Sequence, residues 1–192
     1  MLNLRARNET SFFAFSTPTL NLLPGMVFLL LVYKTFFIMD RYDKVASLLN
    51  DLIRINNDRI VGYEKAIEEL KTGDSDLVTL FQRYNSESRQ YINELNHEVT
   101  RLGGEPAEGT TNSGKVYRVW MDLKAAVKGG DRKTILENCE FGEDAAQKAY
   151  DTALNSDIEM EAPLREIIVK QKAQLRVAHD EVKRLRDLQR AQ

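Results

Sequence analysis

A single cysteine, Cys139, stands in the 192 residues, so neither an intrachain disulfide framework nor a cysteine-built zinc site is available. Charge of one sign is lacking too. With 27 Lys and Arg against 29 Asp and Glu the formal net charge is -2, which leaves no basic footprint for nucleic acid. No Gly-x-Gly-x-x-Gly, Walker loop, His-Glu-x-x-His or nucleophile elbow occurs, so the common phosphate-binding, zinc-protease and hydrolase signatures are absent. Period-two alternation is missing throughout, which removes the strand signal. What remains is 43% apolar and 29% charged, a balance that suits a packed globular core.

The first 39 residues differ from the rest. They hold Arg5, Arg7 and Lys34 against Glu9, a balance of +2; the other 24 basic and 28 acidic residues give -4. Residues 20–38 are strongly apolar but contain Asn21, Pro24, Gly25 and Lys34. The cleanest run, 22–33, falls short of the roughly 20 residues that a spanning helix needs. No small-x-small cleavage site follows it. The expectation is an over-extended start with Met39 the true initiator, because helical periodicity sets in directly after it. An uncleaved membrane anchor through residues 20–38, or a processed targeting segment, is the alternative.

From there the pattern is helical. Val45, Leu49, Leu52, Ile60, Tyr63, Ile67 and Leu70 recur at three- and four-residue steps and predict one helix over residues 40–71. Thr72-Gly73-Asp74-Ser75 should stop it and cap the next. That second helix carries Leu77, Phe81, Tyr84, Tyr91, Leu95, Val99 and Leu102, and Gly103-Gly104-Glu105-Pro106 should end it. Residues 103–115 read as a surface loop, 116–128 as a short helix with Trp120, and Gly129-Gly130 as a break. Asp131 should cap a third helix with the stripe Ile135, Cys139, Ala146, Tyr150 and Ala153. After a turn near Asn155, Pro163 should open a fourth, with Leu164, Ile167, Ile168, Leu175, Ala178, Val182 and Leu185 inward. Two tight hairpins joined by one long crossover make an all-α four-helix bundle with the connectivity of ferritin-like folds.

Metal-carrying bundles of that kind keep a carboxylate cage at mid-height. With each residue advancing about 100°, Asn56, Ser88 and Gln171 fall at the centres of their stripes here, and Glu143 roughly 40° off its own. One of these four is a carboxylate. The expectation is a structural polar layer in which Asn56, Ser88 and Gln171 donate to Glu143, helped by Tyr63, Tyr84 and Tyr91, with no resident cofactor. The alternative is an iron or manganese site drawing on Glu64, Glu94, His97, Glu140 and Glu143. The string Glu94-Leu95-Asn96-His97 matches the di-iron spacing, but its phase puts Glu94 roughly 110° and His97 roughly 170° from the apolar centre, which points His97 at water. Glu64 and Glu140 flank their stripes, where surface ion pairs are the plainer role. His179 sits at a stripe edge beside Asp180, and Cys139 faces inward as a small apolar group.

Several short stretches also carry a resemblance. Leu49-Asn50-Asp51-Leu52-Ile53, Gly62-Tyr63, Leu102-Gly103-Gly104-Glu105-Pro106, Arg118-x-Trp120, Cys139-Glu140-x-Gly142-Glu143-Asp144 and His179-Asp180-x-x-Lys183-x-Leu185-Arg186-Asp187 span about residues 42–188. Together they resemble the bacterial ferritin-like bundles classed as a domain of unknown function. The resemblance implies the fold and brings no activity with it. The resulting expectation is a cytoplasmic protein with a structural or interaction role, stress-associated roles included. Self-association into a homo-oligomer through bundle faces and the Trp120 crossover belongs to the same expectation. A membrane would be a partner only through residues 20–38.

Overall fold

A computed structural model describes residues 24–111 and 131–190. Among the described residues there are four helices and no strand: α1 (Pro24–Glu69), α2 (Ser75–Arg101), α3 (Arg132–Leu154) and α4 (Ala162–Arg190). The chain divides into two compact units, Met1–Phe36 and Phe37–Gln192. In the first, residues 24–36 of α1 are described; the second holds the four-helix bundle. No helix among the described residues is long and apolar enough to cross a membrane.

The start of α1 corrects the sequence expectation. Helix was expected from residue 40, but among the described residues it already runs from Pro24. Around Met39 there is no glycine or proline to interrupt it, and Lys44 pairs with Asp40 one turn away at 2.6 Å. The change there, from apolar to charged, is a change of surface chemistry and not of backbone.

Contacts between side chains fix the direction of the helices. Along α3 and α4, Asp151 pairs with Lys172, Asp144 with His179, Glu140 with Arg186 and Glu137 with Arg190. Numbers fall on one helix as they rise on the other, so the pair is antiparallel. Between α1 and α2, Glu64 meets Arg89 and Gly104 packs on Ala46, again antiparallel. Between α1 and α3, Asn56 meets Tyr150 and Arg59 meets Glu143. α1 therefore opposes both α2 and α3, and α2 runs parallel to α3. These directions are those of two hairpins, α1–α2 and α3–α4; residues 112–130 of the crossover expected between them lie outside the described residues.

Both ends of that crossover are anchored. α2 stops in a Schellman turn: the Gly104 N–H donates to the Val99 carbonyl and that of Gly103 to Thr100, each at 3.0 Å, with Gly103 at φ 82°, a conformation that glycine adopts without strain. From there the chain climbs along one face of α1. Asn50 donates to the Glu105 carbonyl and accepts from the Ala107 N–H, Asn57 donates to the Gly109 carbonyl, and Asp58 accepts from the Thr111 N–H and hydroxyl. Residues 50, 57 and 58 share a helix face, which is why these three reach one strand of loop. At the far end Arg132 is held by Asp74 of the α1–α2 turn and Asp76 in the first turn of α2. The short helix expected over 116–128 with Trp120, and the Gly129-Gly130 break, lie outside the described residues. Asp74 and Asp131 occupy the N-cap positions of α2 and α3, but neither makes the expected side-chain cap bond; the Asp74 carboxylate is engaged by Arg132 instead.

The apolar core is in two parts. One cluster includes Leu49, Leu52, Leu95, Val99, Ala146 and Leu164, the other Ala66, Phe81, Leu136, Cys139, Ala178 and Val182. On α1, α2 and α3 the sequence passes from one cluster to the other through buried polar residues, and those residues form the site described next.

Candidate functional site

Reading α1 inward from Leu49 at alternating three- and four-residue steps gives Leu52, Asn56, Arg59, Tyr63 and Ala66, and all are buried. The stripe that holds α1 in the bundle thus carries an arginine at its middle. The Arg59 side chain is 2% exposed and that of Glu143, across on α3, is 1% exposed. Arg59 donates to Glu143 Oε1 from Nε at 2.9 Å and from Nη2 at 2.7 Å. Its Nη1 donates to Ser88 Oγ at 2.6 Å, and Ser88 in turn donates to the Tyr84 carbonyl one turn back. Tyr63 donates to the same Glu143 oxygen at 2.5 Å. Three helices are therefore tied at one height by an ion pair with its own hydrogen bonds.

The electrostatics follow from burial and this pairing. Burial alone would draw the Arg59 guanidinium down, but the Glu143 carboxylate reverses that and holds it above its ordinary value. Burial, reinforced by Glu143, raises the Tyr63 phenol well above its usual range. Tyr84 is pushed up to about 12, first by burial. The Cys139 thiol is also driven up by burial and then by Glu143, so it is held as an unreactive thiol.

A second set of bonds lies one turn along α1. Asn56 donates to the Leu52 carbonyl and to Tyr150, each at 2.8 Å. Tyr150 donates to Gln171 Oε1 at 2.7 Å, and Gln171 donates to Glu94 Oε2 at 2.8 Å. This chain crosses α1, α3, α4 and α2 in turn. Glu143 Oε2, Asn56 Oδ1, Asn85 Oδ1 and Tyr91 OH are buried without a hydrogen-bond partner.

The four residues expected in a polar layer, Asn56, Ser88, Glu143 and Gln171, are all buried, but they do not form a single network around Glu143. Its donors are Arg59 and Tyr63, Ser88 acts through Arg59, and Asn56 and Gln171 meet at Tyr150. Arg59 is the residue that sequence reasoning missed. The signal was present, since it keeps the 52, 56, 59, 63 spacing. Taking its apolar neighbour Ile60 as the stripe member hid it, although both are buried.

The other carboxylates are also in use. Glu64 pairs with Arg89 at 2.7 Å on an exposed face. Glu140 pairs with Arg186. Glu94 is half-buried and accepts from Gln90 and Gln171, a position closer to the core than its wheel angle suggested. The His97 side chain is 79% exposed. His179 is buried, with Nε2 at 2.9 Å from Asp144 and Nδ1 at 2.9 Å from Asp180, which fits a helix-packing clasp between α3 and α4. Among the described residues, no three His, Cys, Asp or Glu side chains come together as a metal-holding group. The residues do not fit a di-iron cage: two irons need several converging carboxylates, and here the Arg59 guanidinium holds Oε1 of the central one and puts a fixed positive charge beside it.

The fold and this site define an all-α four-helix bundle with an arginine–glutamate pair at its centre. The family described as Domain of unknown function (DUF2383) matches residues 44–156, and the chain belongs to that family. The matched stretch contains α2 and α3 whole and most of the polar layer, with Gln171 beyond it. No curated protein matches the chain.

Proposed function

We propose that this chain is a metal-independent bundle of ferritin-like connectivity with a structural or interaction role, and that no chemistry takes place in its core. The observation that carries this reading is the occupation of Glu143 by Arg59. A cation centre needs carboxylate oxygens free to donate electron pairs, and here the central one faces a fixed positive charge. Glu64 and Glu140 are committed to arginines as well. A polar layer of this kind disfavours sliding of the helices past one another, because a shift by one turn would leave charges buried without partners. The buried lone thiol suits a reducing compartment such as the cytoplasm.

A second reading has one observation in its favour. Glu143 Oε2 has no partner, and an unpaired buried carboxylate oxygen would serve a single iron or manganese ion. Loading the full chain anaerobically with iron(II) or manganese(II), desalting it and counting metal separates the two. The proposal expects no retained metal and an unchanged Tm. One ion per chain, lost in Glu143→Ala, would favour the second reading. Near two ions per chain would overturn both.

A further inference from the structure

The first unit of the chain has a surface with no counterpart in the bundle. From Phe28 to Tyr33 every side chain is apolar or aromatic and between 46% and 68% exposed. Six consecutive residues, each turned about 100° from the last, cover the whole circumference of a helix. The apolar character continues through Phe36 and Phe37, both at least 60% exposed, and on to Met39. An apolar patch of this kind marks an interaction site.

Its shape narrows the partner. A protein groove takes one stripe of an amphipathic helix, and a coiled-coil partner takes a two-position seam. Either would leave most of this surface in water. Acyl chains surround a helix on all sides, and a helix meets their one strict demand because its backbone is hydrogen-bonded internally. Lys34, the lone charge between residues 24 and 39, has a stem long enough to carry its ammonium to a headgroup, and Tyr33 beside it is of the type that favours the interface. The flanking sequence adds a second feature: upstream of residue 26 stand Arg5 and Arg7 against Glu9, a net positive charge that, with Lys34, is complementary to anionic lipid. Residues 26–39 extend roughly 20 Å at 1.5 Å per residue, against about 30 Å of hydrocarbon. That length permits embedding without a crossing.

We propose that residues 26–39 bury themselves in the acyl region of an anionic phospholipid bilayer, so that this chain works at a lipid surface. The proposal is independent of the core reading above: one rests on the exposed helix, the other on the buried pair.

The test is synthesis of the full chain in vitro in the presence of vesicles, followed by flotation. Vesicles are phosphatidylcholine with phosphatidylglycerol, or phosphatidylcholine alone. The chain should float with the anionic vesicles and less with the neutral ones. Leu30→Asp/Phe36→Asp should reduce the floated fraction by at least ~tenfold, since each aspartate is costly in hydrocarbon, while circular dichroism shows the bundle still helical. Equal flotation of the double variant would overturn the proposal. So would failure of the natural chain to float. If, in that case, light scattering showed oligomers that the same variant disperses, the surface would be covered by a second copy of the chain.

Discussion

The Tyr63 hydroxyl donates to Glu143 Oε1, the same oxygen that holds Nε and Nη2 of Arg59. One carboxylate oxygen thus serves two residues of α1, one turn apart, and leaves its twin unpartnered. A phenol in that position cannot ionise without placing a second negative charge beside Glu143.

A pH dependence follows. Burial and then Glu143 raise the Tyr63 phenol above its ordinary value of 10.0, so in alkali the unfolded chain loses this proton first. The stability that Tyr63 contributes is complete below about pH 10 and is lost as pH rises toward the folded value. Tyr63→Phe should therefore flatten the alkaline limb of a stability–pH curve, at a cost near neutrality of about 1 kcal/mol for the lost bond. Urea denaturation of both proteins from about pH 8 to about pH 11 measures it. An alkaline limb equally steep in the variant would contradict the assignment.

Asp58 behaves in the opposite way to a surface carboxylate. Burial raises it above 3.8, against the lowering effect of Thr111. Its contribution is then fully present below the unfolded value and lost as pH rises through the folded one. The difference in stability between the natural chain and Asp58→Asn should favour the natural chain more at about pH 4 than at about pH 7. A difference that grows with pH would contradict this. Hydrogen exchange at the Thr111 amide should quicken if the amide replacement loosens the crossover.

Gly104 allows α2 to end against α1. A β-carbon there would stand 2.9 Å from that of Ala46 and 3.2 Å from Val99 Cγ1, and neither neighbour is the far end of a flexible side chain. Gly104→Ala should cost about 1–3 kcal/mol by overpacking, and Ala46→Gly should recover part of it. Thermal unfolding of the two single variants and the double checks the coupling; additive losses would mean that the contact is not the cause.

The helices could be read from the sequence because their apolar residues keep a three- and four-residue period and their ends carry Gly73, Gly103 and Pro163. The phase argument that turned Asn56, Ser88 and Gln171 inward uses only the geometry of one helix at a time. What each of them bonds to depends on the distance between helices, and no single-helix argument supplies that. Arg59 was passed over because a charge in an apolar stripe looks like the edge of the stripe until Glu143 is seen opposite. The helix upstream of residue 40 was hidden for a different reason: a segment apolar on nearly every side has no polar face, so its helical period leaves little mark in the pattern.

The central claim is that Arg59 and Glu143 form one structural unit, and a double-mutant cycle tests it most directly. Arg59→Met and Glu143→Leu should each destabilise the bundle by about 3–5 kcal/mol, because each leaves a buried charge alone. The combined variant should come within a few kcal/mol of the natural chain and be more stable than either single one, giving a coupling of at least ~2 kcal/mol. Single losses that simply add in the double variant would show that the two residues act separately, and the account of the core as a closed ion pair would fall.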